Sequence, residues 1–429
     1  MTSAFSNLIL ENPKIYSNSI SSQESRLFPY YAGYAKSFAE TALNTIDAAK
    51  DAVVLDPWNG SGTTTLAAAK LGYRAIGCDL NPVMVLVAKA GVLIKSEVPS
   101  LLSLAKAIVN AGEWTDPAAH DPLDVWLIPS SSQIVRGIET EINRAFVCQE
   151  NYTSLLGVDA LATVSSLASF FYVALFRATR QLLTDFVPSN PTWVKAPEPQ
   201  NRKRPNARTL CAAFVKEVEL LSDRLLTHDS QELLPQVQQG NSEKLSLPDG
   251  SIDVVITSPP YCTRIDYAVA TSIELAVLRA SVEDFSIIRR SLMGTSTVPA
   301  TAMKVDQRWG SICEDFLHRL YDHSSKASKT YYFKNHLQYF DSLSKSLAQL
   351  ARVVKPGGKC ILVVQDSFYK DVHNDVPGIA AQMARQRGFG LSVKHDFVTG
   401  KSMAGINSKA RKYLSNRSTT ESVLCFVRN

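Results

Sequence analysis

Asp51-Ala52-Val53-Val54-Leu55-Asp56-Pro57-Trp58-Asn59-Gly60-Ser61-Gly62-Thr63-Thr64-Thr65 carries three kinds of local structure in a row. Residues 51–56 are apolar and partly β-branched between two aspartates, which predicts a short buried strand. Gly60-Ser61-Gly62 predicts a tight loop whose glycines let the backbone turn and approach a ligand closely. The alanine-rich run 63–71 predicts a helix. A second strand over 73–79 follows, and Asn81-Pro82 opens another helix with proline in its first turn. Strand, loop, helix and strand together form a βαβ unit, the building block of a parallel α/β sheet.

The loop also restricts the ligand. No lysine follows the glycines, so this is not a P-loop, and Thr65 stands where a dinucleotide fingerprint needs a third small residue. Asp79, at the end of the second strand, is placed to take the two hydroxyls of a ribose. A carboxylate at Asp56 would repel a pyrophosphate and suit a positive group such as a sulfonium or an α-ammonium. S-adenosylmethionine (SAM) carries both of these and a ribose.

A second stretch, Ser251-Ile252-Asp253-Val254-Val255-Ile256-Thr257-Ser258-Pro259-Pro260-Tyr261, predicts another buried strand, stopped by two prolines that cannot donate ladder hydrogen bonds. At a strand end in an open α/β sheet, where ligands bind, it offers a hydroxyl, two proline carbonyls and an aromatic ring. That group suits an exocyclic amine on a flat ring. Taken alone, the stretch is equally well read as a proline-stopped strand with a packed tyrosine.

The combination D-P-x-x-G-S-G-T-T, then G-C-D-L-N-P, then a distal T-S-P-P-Y resembles the SAM-dependent amino-methyltransferases of DNA, which modify the ring-4 amine of cytosine or the ring-6 amine of adenine. The resemblance covers residues 26–95 and 238–270 well, and the K-P-G-G segment near 355–366 more weakly. It implies a Rossmann-like SAM-dependent methyltransferase fold, a mostly parallel seven-stranded sheet with a helical insertion. It implies that Asp56, Pro57, Trp58, Gly60, Ser61 and Gly62 form the SAM loop. Asp79 would bind the ribose, with Leu80 beside the adenine; Asn241 and Ser242 would line the adenine pocket, and Thr257 would complete the cofactor site. Tyr30, in Phe28-Pro29-Tyr30-Tyr31, matches a segment that approaches the methionine end, although an aromatic core cluster reads equally well. Trp58 departs from the family, where phenylalanine is more usual.

Ser258, Pro259, Pro260 and Tyr261 carry the implied catalytic role. Serine at the first position, where aspartate or asparagine could stand, leans toward cytosine N4. Adenine N6 is the alternative, followed by a structured RNA amine and by a non-catalytic specificity subunit. Carbon-5 cytosine chemistry needs a cysteine directly after a proline, and Cys262 is misplaced for it.

The 429 residues and 45% hydrophobic content predict a sizeable core, divided as 1–98, an inserted helical region 99–238, and 239–429. The insertion is the candidate target-recognition region, interrupted by prolines over 188–205. The net charge of +5 permits a polyanionic partner without requiring one. Candidate DNA contacts are Arg202, Lys203 and Arg204, then Arg264 after the catalytic loop, and Lys409, Arg411 and Lys412 in an acid-free tail. For the Arg202–Arg204 segment, a solvated basic linker is the competing reading. Double-stranded DNA is the implied partner, with room for a cognate restriction endonuclease or defence-system protein.

Seven scattered cysteines predict a reduced, cytoplasmic protein without a disulfide framework. No secretory start is visible. The apolar run 160–176 is too short and too rich in hydroxyls for a span, and predicts one buried helix. Cys313, His318 and His323 do not share one helical face, so no metal is expected.

Overall fold

The structure is a computed structural model that describes residues 4–14, 27–29, 33–112, 120–147, 154–188, 193–227, 233–262, 265–301, 303–399 and 419–429. Tyr30, Arg264, Lys409, Arg411 and Lys412 therefore lie outside the described residues.

Seven strands form one sheet: β1 (Val53–Asp56), β2 (Arg74–Asp79), β3 (Gln236–Gln239), β4 (Ile252–Thr257), β5 (Val354–Gln365), β8 (Phe389–Thr399) and β9 (Thr419–Arg428). Their order is β3-β2-β1-β4-β5-β9-β8. β9 runs antiparallel to both of its neighbours, and the other pairings are parallel. This is the Rossmann-like arrangement expected. β1 and β4 are buried along nearly their whole length, as befits parallel strands covered on both faces. In register, Val54 faces Val254 and Leu55 faces Val255. The end of the glycine-loop strand thus lies beside the end of the proline-stopped strand. The chain leaves β1 toward β2 on one side, while β4 pairs on the other, so this is the switch point of the sheet.

Helices α1 (Lys36–Thr45) and α2 (Thr63–Lys70) cover one face, burying Phe38, Leu43 and Ala67 against Val54, Val254 and Ile361. A third helix, α3 (Pro82–Ala90), follows β2, with Asn81 accepting from the Val83 N–H as its cap. The insertion supplies α4 (Val98–Ala111), α5 (Pro129–Phe146), α6 (Val158–Thr163), α7 (Ser166–Leu182) and α8 (Ala207–Thr227). Past β4 come α9 (Tyr267–Ala270), α10 (Ser272–Val277), α11 (Val282–Ser291), α12 (Ser311–Asp322), α13 (Phe333–Val353) and α14 (Val376–Gln386). Helices α12 to α14 bury Phe316, Phe340 and Met383 against the other face of the sheet.

The inserted helices share one apolar cluster with α3 and α10. Buried charges tie the same elements together. Arg180 on α7 grips the fully buried Glu274 on α10 through two bonds of 2.5 and 2.6 Å. Arg136 on α5 holds Asp121 and donates to the carbonyls of Ala276 and Val277.

Several local expectations change. Residues 160–176 do not form one helix. The chain breaks at Val164 and Ser165, and the Ser165 hydroxyl accepts from the Ala168 N–H at 3.1 Å to start α7. Residues 236–239 were expected to be helical and form strand β3; Gln-Val-Gln-Gln has weak strand propensity, and pairing with β2 decides its state. The Lys355–Gly358 turn lies inside β5 as an irregularity between Val354 and Lys359, both of which pair with β4. A hairpin of β6 (Ser367–Tyr369) and β7 (Val372–Asn374) was not foreseen. Among the described residues, no helix is long and apolar enough to cross a membrane.

Candidate active site

A cleft open to solvent lies at the carboxyl ends of β1, β2, β3 and β4. Asp56, Pro57, Trp58, Gly60, Ser61, Asp79, Leu80, Asn241 and Ser242 line it, together with Ser258, Pro259, Pro260 and Tyr261. Two segments about 200 residues apart in sequence are brought into one wall by the β1–β4 register. Gly62 and Thr257 do not line the cleft. Gly62 sits at φ +88° as the start of α2, and a Cβ there would stand 3.2 Å from Ala88 Cβ, so its part is to shape the turn. Thr257 is fully buried and donates to Asp56 Oδ1 at 2.5 Å, which puts it behind the wall.

Asp56 is itself almost fully engaged. Oδ1 also accepts from the Trp58 N–H at 3.2 Å, and Oδ2 accepts from Thr64 Oγ1 at 2.6 Å. Thr64 Oγ1 in turn bonds the hydroxyl of Tyr34, which also donates to the Ile256 carbonyl. Burial raises the Asp56 carboxyl above its ordinary range, while Thr257, Thr64 and the Trp58 N–H pull it back. Asp56 therefore lines the cleft with both carboxylate oxygens already bonded within the protein. The motif itself suggested neither Tyr34 nor Thr64 as a partner. Thr64 stands inside it, and Tyr34 reaches it only through the packing of α1.

Asp79 is poised differently. Oδ2 accepts from the Gly60 N–H at 2.8 Å and Oδ1 from the Asn81 N–H at 2.9 Å, so this carboxylate staples the glycine loop to the start of α3. Its edge stays half-buried toward the cleft. Burial pushes it up to about 6, despite the Asn81 and Gly60 N–H donors. The Asn241 side chain accepts from the Glu243 N–H, and the Ser242 hydroxyl bonds Ser346 on α13, so neither side chain is free of protein partners.

The catalytic-type loop is clamped by two tyrosines the sequence did not single out. Tyr339 on α13 donates to the Pro260 carbonyl at 2.9 Å, and the Tyr261 N–H donates to the Tyr267 hydroxyl on α9 at 3.0 Å. Burial raises both phenols, which keeps them neutral. Among the described residues, neither Ser258 Oγ nor the Pro259 carbonyl has a protein partner, while Pro260 is committed to Tyr339. Tyr339→Phe is expected to leave that carbonyl unsatisfied and cost about 1–3 kcal/mol of stability. Chemical denaturation measures the loss; an unchanged midpoint would show that the clamp contributes nothing.

The lining contains Asp56, Asp79 and Glu243 and, among the described residues, no lysine, arginine or histidine. A phosphate-bearing ligand has no counter-charge there, whereas a sulfonium and an ammonium do. With the ribose-type acid at Asp79, the donor set fits SAM.

Other candidates fall elsewhere. Arg202, Lys203 and Arg204 do not line the cleft, and Lys203 pairs with Asp185. Phe28 is packed in the helical core with Arg180 over its ring, in keeping with the core reading of its segment. Cys262 is buried beside Asn374. Cys313 is a core residue, and His323 bonds Ser325 and Asp371.

Over residues 35–90 and 252–429, more than half of the chain, the sequence matches a family described as DNA methylase, of the N6/N4 type. The unmatched middle holds the inserted helices and β3. The chain is also similar to the Type II methyltransferase M.BsoBI of Geobacillus stearothermophilus, 22% identical over 412 residues, which cover 84% of this chain and 77% of that relative.

Proposed function

The chain belongs to the DNA methylase family of N6/N4 amino-methyltransferases, and from that premise we propose that it methylates the ring-4 amine of cytosine in duplex DNA. The observation that carries the base choice is Ser258. Ser258 and Pro259 line the cleft, and among the described residues neither the hydroxyl nor the Pro259 carbonyl has a protein partner, which leaves two acceptors for the two hydrogens of one amine. SAM is the cofactor, and when bound it supplies an electrophilic methyl group on a sulfonium.

An exocyclic amine is a poor nucleophile because its lone pair is delocalised into the ring. Ser258 and Pro259, each accepting one amine hydrogen, favour a pyramidal nitrogen with its lone pair free. Tyr261 offers a ring to stack on, and Tyr267 and Tyr339 hold the loop that carries all three. Positioning and electrostatics then supply most of the rate. Ser258 is too weak a base to keep the released proton, which passes to solvent through the open cleft. The amine is inaccessible in a stacked duplex, so the base must be flipped out at a cost of a few kcal/mol.

In this reading residues 1–98 and 239–429 form the transfer unit and residues 99–238 are inserted into it. A restriction-modification role, with a cognate endonuclease as partner, is part of the same proposal and is taken from the Type II relative. The test is incubation with labelled SAM and unmodified duplex, followed by nucleoside analysis. N4-methylcytosine is expected; N6-methyladenine would overturn the base choice, and no transfer to any duplex would overturn the proposal.

A further inference from the structure

A flipped base can reach Ser258 only if the flanking duplex rests on the rim of the cleft. The interior of the cleft is acidic, with Asp56, Asp79 and Glu243, so DNA phosphates are repelled from it and need cations outside. Two elements joined to one stretch of that rim carry such cations.

Ser291, Leu292 and Met293, at the end of α11, line the cleft. Gly294 follows at φ +79°, where a Cβ would stand 2.8 Å from the Tyr261 carbonyl oxygen, so the chain lies directly against the catalytic loop. Ser296 then acts as a junction. Its hydroxyl donates to Asp266 at 2.6 Å and accepts from Arg289 at 2.8 Å, and its carbonyl accepts from the Tyr331 hydroxyl at 2.8 Å. Asn335 adds a bond of 2.7 Å to the Thr295 carbonyl. These bonds fasten the end of α11 and the π-helical turn Ser328–Tyr332 to the segment that follows the catalytic loop. The turn is entered through Ala327 at φ +67°, a conformation that costs a non-glycine residue about 1–3 kcal/mol and is found where function maintains it.

Arg290 stands near the end of α11, Lys329 within the turn and Lys326 just before it. All three are exposed, and none pairs with a carboxylate among the described residues. Lys329 lies 5.2 Å from the centre of the exposed Tyr321 ring. Residues 323–340 include Lys326, Lys329 and Lys334 and no acid. A merely solvated face would interleave charges, as α13 does one turn later with Lys345 bonded to Asp341 at 2.6 Å.

We propose that Arg290, Lys326 and Lys329 contact the phosphates of the duplex beside the target base. The proposal rests on the reading of the chain as a DNA methyltransferase, and it puts the docking surface beside the catalytic loop, outside the inserted helices. Such contacts add affinity without reading sequence.

The test measures binding of the full chain to a fluorescent duplex by anisotropy across a salt series. For the combined variant R290A/K326A/K329A, the slope of log Kd against log salt is expected to fall by about three, with binding weakened at least about tenfold near ~0.1 M salt. SAM affinity by calorimetry is expected to be unchanged. A slope within about half a unit of the wild type would overturn the proposal. If the combined variant is less stable, K326Q and K329Q decide separately, each lowering the slope by about one or else overturning the proposal. A wild-type chain that binds no duplex would instead overturn the DNA reading itself.

Discussion

Ser258→Ala is expected to slow methyl transfer by about two to three orders of magnitude, the usual cost of removing one preorganised polar group from a reacting centre. SAM affinity is expected to stay within about twofold of the wild type. The division follows from the hydrogen bonds. Asp56 and Asp79 are held by Thr257, Thr64, Trp58, Gly60 and Asn81, and none of those bonds involves Ser258. Removal of the hydroxyl therefore leaves the bonds of the cofactor loop as they are. The loss should appear in kcat, with KM for DNA little changed, because the interaction strengthens as the nitrogen becomes pyramidal. Single-turnover transfer to a duplex and calorimetric titration of SAM measure the two quantities. A fall in both together would contradict this separation of roles.

Asp79→Ala should show the converse pattern. It strands the N–H groups of Gly60 and Asn81 and removes the acceptor offered to a ribose, each a charge-assisted bond of about 1.5–3 kcal/mol. SAM binding is expected to weaken by about a hundredfold or more. The carboxyl is pushed up to about 6 by burial, which gives the effect a pH signature. Only the ionised form can accept on both oxygens from the loop and still receive ribose hydroxyls, so protonation opposes binding. Affinity should be full above about pH 7 and fall as pH drops through 6, by about tenfold for each further unit. Asp79→Asn should bind weakly and without that dependence. Calorimetry over a pH series measures both, and a wild-type profile flat across this window would remove Asp79 from the cofactor site.

Much of the site was legible because its chemistry is local. The β-branched runs before Asp56 and Ser258 announce strands, the glycines announce a turn, and Asp79 stands where a strand ends. Each of these is a property of about ten adjacent residues. β3 was missed because Gln-Val-Gln-Gln has no periodicity of its own and becomes a strand only by pairing with β2. The break at Ser165 was missed because the apolar content of residues 160–176 runs unbroken across it, while the helix start depends on one hydroxyl bond.

The assignments of Asp56 and Thr257 show a different limit. From the sequence both read as ligand contacts. Packed, Thr257 donates to Asp56 from behind the wall and does not line the cleft, while Asp56 does, so the bond between them stiffens the wall. Tyr34, Tyr267 and Tyr339 carry no motif at all; Tyr34 and Tyr339 bond residues 222 and 79 positions away, and Tyr267 reaches back six positions from the start of α9.

By itself, then, the sequence determined the α/β class, the kind of cofactor and the two segments that meet at the cleft, since strand ends, glycine turns and charge are written in neighbouring residues. Only the tertiary structure decided which side chains reach the cleft, which stand behind it, what clamps the proline loop and where the cationic rim lies. Those outcomes depend on contacts between residues far apart in the chain, and they exist only once the strands have paired and the helices have packed on the sheet.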